Sequence, residues 1–317
     1  MFSLNHRNFT RLLSLLLLFC ARSVQPTPRP QEPVHDESIA TVCALADSGD
    51  SAAQHRLKQL LLTNNSTTPD FVVALDCMRS RASHGDAEAQ FFLGYLLEQG
   101  HGVNRDYSQA AQNYQLASAQ GHSFAQNNLA NLYQRGLGVP RDPQKALQLY
   151  LASAQNNNSA AQTNLASMYY AGDAVPHDLS QAARWFQAAA SQGDLVAQNN
   201  LGVLYFRGEG VPVDLKTAAK WIGLAAMQGL PSAQSDLAFL YETGSGLSQD
   251  YFAAYLWYSR AIAAGDSPAV SHRDAISHFL SRKQRDEGAA LAASQDRQPS
   301  NSPDPSLPSS LSILPRH

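Results

Sequence analysis

The feature that most constrains this chain is a pattern that recurs every 36 residues along most of its 317 residues. Self-similarity at a period of 20 to 50 residues is the signature of stacked repeat architectures, in which each unit packs only against its neighbours. A fold built from one repeated supersecondary unit is therefore predicted. The clearest column consists of glutamines and extends furthest towards the N-terminus: Gln54, Gln90, Gln126, Gln162, Gln198 and Gln234.

The apolar spacing within one unit is helical. Ala197, Leu201, Leu204 and Tyr205 recur at i, i+4, i+7 and i+8, which places one apolar stripe along a helix. The next stretch repeats this spacing from Ala218 onward, so each unit is predicted to be a pair of helices. Other columns keep the same step: Leu93, Leu129, Leu165, Leu201 and Leu237; Gly100, Gly136, Gly172, Gly208 and Gly244; Asp106, Asp142, Asp178, Asp214 and Asp250; Ala110, Ala146, Ala182, Ala218 and Ala254.

Residues that favour helix ends separate the helices. Asp178 with Gln181 fits an N-cap followed by a polar residue at the third helical position, and Pro143 after Asp142 fits the first helical turn. Ser281 and Gln284 have the spacing of another capping box. Gly193 and its equivalents fit the left-handed position after the second helix, and Asn157, the usual substitute, stands there in one unit.

These patterns predict an all-α fold, a right-handed α/α solenoid of stacked helical hairpins. The predicted elements are an N-terminal capping helix (36–49), a degenerate repeat (50–85), five regular repeats (86–121, 122–157, 158–193, 194–229, 230–265) and a C-terminal capping hairpin (266–294). The end units of a solenoid need a polar outer face, and the charged run "SRKQRDE" in the last hairpin is suited to that position.

The two ends of the chain have a different composition. Residues 1–23 have Arg7 and Arg11 before a ten-residue apolar run, the plan of a secretory signal peptide. The run is too short for a stable membrane span, and bulky Phe19 disfavours lipid anchoring at Cys20. Residues 24–35 are predicted to be a proline-rich linker and residues 295–317 a disordered tail. We therefore expect an exported protein, either periplasmic or secreted.

The repeat columns resemble Sel1-like repeats, relatives of tetratricopeptide repeats with a longer corner between the helices. The stretch "LGVLYFRGEGVPVDLKTAAKWIGLAAMQG" is similar to the family pattern throughout, and the likeness extends over about residues 50–294. Ala174 departs from it where the second corner glycine belongs, and Ser248 replaces a proline. The resemblance implies a scaffold or adaptor for protein complexes, a role often found in exported bacterial proteins, and implies little about what is bound.

The sequence offers no pattern for an enzyme or a cofactor site. The corner "GEGVPV" follows a predicted helix and lacks the third glycine of a dinucleotide loop, so a structural turn is predicted instead. No zinc-protease motif, serine-hydrolase motif or paired Cys-x-x-Cys occurs, and His272 and His278 are badly spaced for a metal. The net charge of −3 and pI near 6.3 disfavour nucleic acid as a partner. We predict a non-enzymatic protein with no cofactor.

One face of the first helices is the predicted partner-binding surface. Positions that point away from the Leu201 and Tyr205 stripe would line the concave side of the stack. We name these ten positions the inner strip: Phe92, Tyr95, Asn128, Asn131, Asn164, Ser167, Asn200, Val203, Asp236 and Phe239.

The recurring asparagines of the inner strip have two interpretations, because asparagine is a mediocre helix former and its recurrence indicates a hydrogen-bonding role. They form a ladder between units or are simply solvated, or they clamp the backbone of an extended peptide whose apolar side chains contact Phe92, Tyr95 and Phe239. A protein or peptide partner is the leading hypothesis. The alternative is a cell-envelope factor that binds or acts on peptidoglycan or another carbohydrate.

Cys43 and Cys77 lie on the predicted second helices of successive units, nearly in register. Neighbouring helices are about 8–10 Å apart, so a disulfide requires the two side chains to face each other. Two unbridged cysteines that act as small buried apolar side chains are the other interpretation.

Overall fold

The computed structural model describes residues 38–63 and 68–295, and its elements in that part of the chain are fifteen α-helices and one short 3-10 helix. The predicted signal peptide, Cys20, the linker and the tail from residue 296 lie outside the described residues. The α-helices are α1 Ile39–Asp47, α2 Ser51–Leu62, α3 Pro69–Ser83, α4 Ala87–Gln99, α5 Tyr107–Ala119, α6 Ser123–Arg135, α7 Pro143–Gln155, α8 Ser159–Ala171, α9 Leu179–Ser191, α10 Leu195–Arg207, α11 Leu215–Met227, α12 Pro231–Thr243, α13 Tyr251–Ala263, α14 Ala269–Ile276 and α15 Arg282–Gln295.

The helices form consecutive hairpins that stack along one core, which confirms the predicted all-α solenoid. The alanine column is completely buried where α5, α7, α9, α11 and α13 meet their hairpin partners. Leu93 and Val103 contact the core on both sides of their hairpin, and Tyr169 and Trp185 do the same further along. Small residues allow the helices to approach closely, and the larger side chains join successive units into one continuous core. None of the described helices has the length and apolar content needed to cross a bilayer.

The predicted helix caps are confirmed. Asp178 Oδ1 accepts the backbone N–H of Gln181 at 3.0 Å, and Ser281 and Gln284 exchange reciprocal bonds between side chain and backbone. Leu230 and Pro268, at the starts of α12 and α14, have side chains that cannot accept a hydrogen bond, and Pro231 at the first position of α12 removes one donor that would need a partner. After the second helices, Gly193 has a φ of 94° and Asn157 a φ of 61°, so the predicted left-handed positions are also present.

The Gly-x-Gly corners are contacts between hairpins. Gly210 has a φ of 72°, and a Cβ added there would lie 2.2 Å from the carbonyl oxygen of Leu179 in the preceding hairpin. Gly138 has the same relation to the backbone of Tyr107, and Ser108 Oγ donates to the carbonyl of Gly138 at 3.1 Å. The absence of a side chain therefore lets each corner pack against the start of the previous second helix. Ala174 keeps the positive φ, at 62°, despite its Cβ.

The glutamine column connects successive hairpins through buried hydrogen bonds. Gln162 Nε2 donates to the carbonyl of Ala154 in the preceding hairpin at 3.2 Å, and Gln162 Oε1 accepts from Gln192 of its own hairpin at 2.7 Å. Gln90 and Gln198 make the same pair of bonds. At Gln126 the equivalent donor position holds Asn156, which is one methylene shorter, and Gln126 Oε1 has no partner within the described residues. The length of the amide side chain at the donor position therefore decides whether this second hydrogen bond forms.

Candidate functional site

The inner strip is mostly buried at its N-terminal end and more open at its C-terminal end. Phe239 on α12 is the most accessible of the ten side chains, with 38% of its surface exposed. Four residues of the strip are buried: Phe92, Tyr95, Asn128 and Asn200. The other five are partly buried: Asn131, Asn164, Ser167, Val203 and Asp236.

Two asparagines of the strip belong to a directed chain of hydrogen bonds that crosses three hairpins. Asn164 Nδ2 on α8 donates to Asn127 Oδ1 on α6 at 2.9 Å, and Asn127 Nδ2 donates to Asn128 Oδ1 at 3.1 Å. Asn128 Nδ2 then donates to the hydroxyl of Tyr114 on α5, at 3.2 Å. The Tyr114 hydroxyl in turn donates to Glu98 Oε2 on α4, at 2.6 Å. Each side chain is an acceptor for one neighbour and a donor to the next, so the donors and acceptors are matched along the chain.

These bonds answer the question that the asparagine column raised. Asn164 forms the predicted ladder between units, and Asn128 links that ladder to the second helix of the preceding hairpin. Asn131 is also engaged, because its Oδ1 accepts the Tyr150 hydroxyl at 2.7 Å and its Nδ2 donates to the Asn127 carbonyl at 3.2 Å. Asparagines committed to internal bonds have little capacity left to clamp a peptide backbone.

The ladder is interrupted in the next hairpin and resumes after it. Asn199 Nδ2 donates to Asp236 Oδ2 at 2.8 Å, with the same spacing along the chain as the bond between Asn164 and Asn127. Between these two pairs the corresponding residues are Thr163 and Asn200, and Asn200 Nδ2 has no hydrogen-bond partner in the described part of the chain. Threonine is shorter than asparagine and does not extend the amide ladder across this junction.

The C-terminal end of the strip carries an apolar surface. Phe206 on α10 and Phe239 on α12 meet edge to face, with ring centroids 6.0 Å apart. Val203 packs against the same buried cluster as Phe206. Phe206 is missing from the strip as the sequence defined it. Its position three residues beyond Val203, on the same face of the helix, is the signal that could have identified it.

Two carboxylates on α4 have opposite electrostatic environments. Glu88 receives hydrogen bonds from His122 Nε2 at 2.9 Å and from Lys58, and these partners lower its pKa to about 2. Burial raises the pKa of Glu98, and the hydrogen bond from Tyr114 only partly offsets this effect. Glu88 therefore stabilises the junctions between three hairpins as an anion. At Glu98, by contrast, the environment disfavours the ionised form of the carboxyl group.

The N-cap of α6, His122, has its ring protonation fixed by the hydrogen bonds that it makes. His122 Nδ1 accepts the backbone N–H of Ala125 at 3.2 Å, so Nε2 carries the proton that is donated to Glu88. Its ring stacks on Phe91, with centroids 4.6 Å apart. The histidine is thus both a helix cap and a packed side chain, and this environment accounts for it without catalysis.

Replacing Glu88 by glutamine is expected to lower the free energy of unfolding by about 1–2 kcal/mol at pH 7. Its folded pKa of about 2 lies below the ordinary glutamate value of 4.5, so its stabilisation is fully present above pH 4.5 and is lost as the pH falls towards 2. The expected loss in unfolding free energy is smaller than the pKa shift of Glu88 alone would give, because the side chain is 43% exposed and solvent screens its ion pairs.

Urea titrations of the wild type and Glu88→Gln at pH 7, 4 and 2 measure this difference. Glu287→Gln, a change to an exposed residue of α15, is the matched control and should have little effect. A wild-type advantage that is as large at pH 2 as at pH 7 would contradict the electrostatic explanation.

The described residues contain no cluster of three or more histidine, cysteine or acidic side chains placed to hold a metal ion. An open groove of about 480 Å³ lies between α9 and α10, lined by residues that include Arg184, Gln187, Leu201 and Tyr205. Arg184 is the only ionisable group there apart from the tyrosine, and the groove has no nucleophile paired with a base. Its lining therefore supplies no recognisable catalytic arrangement.

Comparisons with known proteins place the repeats in a family. The model of the Sel1 repeat matches five consecutive segments, residues 87–122, 123–158, 159–194, 195–230 and 231–266, which together make up more than half of the chain. A search of curated proteins gave no match.

Solved structures have the same architecture. The crystal structure of c5321, a protective antigen of uropathogenic Escherichia coli described as displaying an SLR fold, has a TM-score of 0.71 and 32% sequence identity over 81% of this chain. The match spans only 55% of the c5321 chain. A Sel1 repeat protein from Oxalobacter formigenes has a TM-score of 0.59 and 25% identity over 82% of this chain and 98% of its own.

Proposed function

Because this chain belongs to the Sel1 repeat family, whose members commonly mediate protein interactions, we propose that it is a non-enzymatic, exported scaffold that binds a protein partner along its concave face. The observation that carries the proposal is the partly exposed cluster of Phe206, Phe239 and Val203 on the first helices of adjacent hairpins. Aromatic side chains grouped on a rigid surface are typical anchors of protein interfaces.

Apolar and polar side chains are unevenly distributed along the inner strip, and this distribution indicates how a partner would bind. The strip has an apolar C-terminal end, while its central asparagines are tied into internal hydrogen bonds. An extended partner segment would therefore place one or two apolar side chains against Phe206 and Phe239, and the rest of the strip would contribute shape more than backbone hydrogen bonds. This differs from a peptide clamp built on the asparagines.

Export is the second part of the proposal. It is supported by the signal-peptide plan of residues 1–23 and by the description of c5321, the similar Escherichia coli protein, as a protective antigen. An antigen that protects is one that the host can recognise, and this fits a protein outside the cytoplasm.

We expect Phe239→Ala to reduce capture of the partner about tenfold, because loss of one aromatic anchor typically costs more than 1 kcal/mol of binding free energy. The full chain is recovered from the periplasm or the medium, immobilised and incubated with envelope extract, and the bound proteins are quantified by mass spectrometry. Recovery of the chain from the cytoplasm alone would contradict export.

Met227→Ala is the matched control, since Met227 is 68% exposed but lies at the end of a second helix. This variant should capture the partner as well as the wild type does, and both variants should have wild-type melting temperatures. A photo-crosslinker at position 239 should join the chain to one continuous segment of the partner. Equal capture by Phe239→Ala, or retention on purified peptidoglycan without any captured protein, would count against the proposal.

A further inference from the structure

Two cysteines lie where α1 packs against α3 at the N-terminal end of the stack. Cys43 on α1 and Cys77 on α3 both pack against the buried cluster that contains Leu57, Ala74 and Met78. The two sulfurs are separate thiols in the structure, and both residues are partly buried. Both side chains therefore enter the same packed cluster between the two helices.

A second contact one helical turn further along fixes the register of these two helices. Arg81 Nε on α3 lies 3.9 Å from Asp47 Oδ1 on α1, and Arg81 also binds Asp86 at the start of the next helix. Asp47 and Arg81 are separated by the same 34 positions as Cys43 and Cys77. Because Asp47 lies beside Arg81, the same register places Cys43 beside Cys77 one helical turn earlier, so the proximity of the thiols follows from the packing of the helices.

We propose that Cys43 and Cys77 form an intrachain disulfide that fastens the N-terminal helix α1 to the first hairpin. In this register, rotation of the two side chains can bring the sulfurs to the length of a disulfide, about 2.05 Å. The chain loop closed by the bridge would include α2 and the residues that connect α2 to α3. These elements belong to the terminal unit, and in stacked repeats the ends open first.

The reaction is a thiol–disulfide exchange with a disulfide oxidant such as oxidised glutathione. One protein thiolate attacks the oxidant and releases one glutathione thiolate, which leaves a mixed disulfide on the protein. The second protein thiolate displaces the remaining glutathione and forms the S–S bond. In total the two cysteines lose two electrons and two protons, and the oxidant becomes two thiols.

The surroundings of Cys77 determine how fast this exchange runs in the folded protein. Burial and the neighbouring Cys43 raise the pKa of Cys77 to about 12, so very little of its thiolate is present at neutral pH. Exchange is therefore expected to be slow while α1 is packed and faster when the chain folds in the presence of the oxidant. The test accordingly refolds the protein in the redox buffer, so that the equilibrium is reached.

The experiment refolds the full chain in oxidised glutathione, blocks the remaining thiols with an alkylating tag, and digests the product with trypsin under nonreducing conditions. Cleavage after Arg56 and Arg79 places the two cysteines on different peptides, so a bridge appears as one linked pair that separates on reduction. We expect this linked pair to be the main product, and the oxidised chain to melt several degrees above the reduced chain.

Cys77→Ser is the control, because it keeps a small polar side chain at the site and removes one of the two sulfurs. Its melting temperature should be the same in oxidising and reducing buffer, and peptide mapping should find no peptide joined to the Cys43 peptide within the chain. The proposal is overturned if Cys43 and Cys77 of the wild type are alkylated in full, if each is joined to glutathione or to another chain, or if the bridged chain melts no higher than the reduced one. None of these outcomes depends on partner binding.

Discussion

Gly210→Ala is expected to lower the free energy of unfolding by about 3 kcal/mol or more. The new Cβ would lie 2.2 Å from the carbonyl oxygen and 2.3 Å from the carbonyl carbon of Leu179, so the corner must move away from the preceding hairpin. The substitution also places a side chain at a φ of 72°, which costs about 1–2 kcal/mol by itself. Urea unfolding at pH 7 measures the loss.

Gly229→Ala separates the two contributions. Gly229 has a φ of 92° but no heavy atom within 4 Å of an added Cβ, so this variant should lose only the conformational part, about 1 kcal/mol. The difference between the two variants then reports the contact between hairpins. Equal losses in the two variants would show that the corner does not depend on that contact.

Ala174→Gly is the reverse substitution, and it is expected to stabilise the chain. Ala174 occupies the position equivalent to Gly210 with a φ of 62°, so glycine should relieve left-handed strain there. A gain of up to about 1 kcal/mol is expected, since the more flexible unfolded chain of the glycine variant offsets part of it. This gain would place Ala174 among the strained positions of the stack.

Tyr114→Phe is the second change with a large expected effect, a loss of about 2–3 kcal/mol in the free energy of unfolding at pH 7. The hydroxyl of Tyr114 donates to Glu98 and accepts from Asn128, and the tyrosine side chain is fully buried. Removal of the hydroxyl leaves a partly buried carboxyl group and a buried amide without this partner. The ring itself is tolerated, because Phe186 occupies the same column in a later repeat.

The pH dependence gives a readout that loss of packing alone would not produce. Because burial raises the pKa of Glu98 above the ordinary glutamate value of 4.5, its contribution to stability is fully present below pH 4.5 and is lost as the pH rises through the folded pKa. The hydroxyl of Tyr114 opposes that loss, so Tyr114→Phe should cost more at pH 7 than at pH 4. Urea titrations at both pH values measure this.

Tyr133→Phe is the matched control for Tyr114→Phe. The hydroxyl of Tyr133 accepts a hydrogen bond from Gln115, whose side chain is exposed and can turn to water when the hydroxyl is removed. A loss of about 0.5–1 kcal/mol, with no dependence on pH between 4 and 7, is expected. If the two variants lost the same stability, the chain of hydrogen bonds through Tyr114 would have no special role.

The comparison of sequence and structure is clearest at the inner strip. The sequence identified the asparagine column and two hypotheses for it, and the structure decided between them for Asn164 through its bond to Asn127. Asn127 and Phe206 were both absent from the predicted strip, because the strip was limited to two positions per helix.

The sequence by itself determined the repeat, the helical hairpins, their caps and their left-handed corners, since these features depend on residues within about four positions of one another. The tertiary structure decided which polar side chains meet between packed helices: Gln162 with Gln192, Asn164 with Asn127, and Cys43 with Cys77. These partners are 30 to 37 positions apart along the chain. Whether they meet depends on how far apart the packed helices lie and on side-chain length, and a repeat pattern specifies neither.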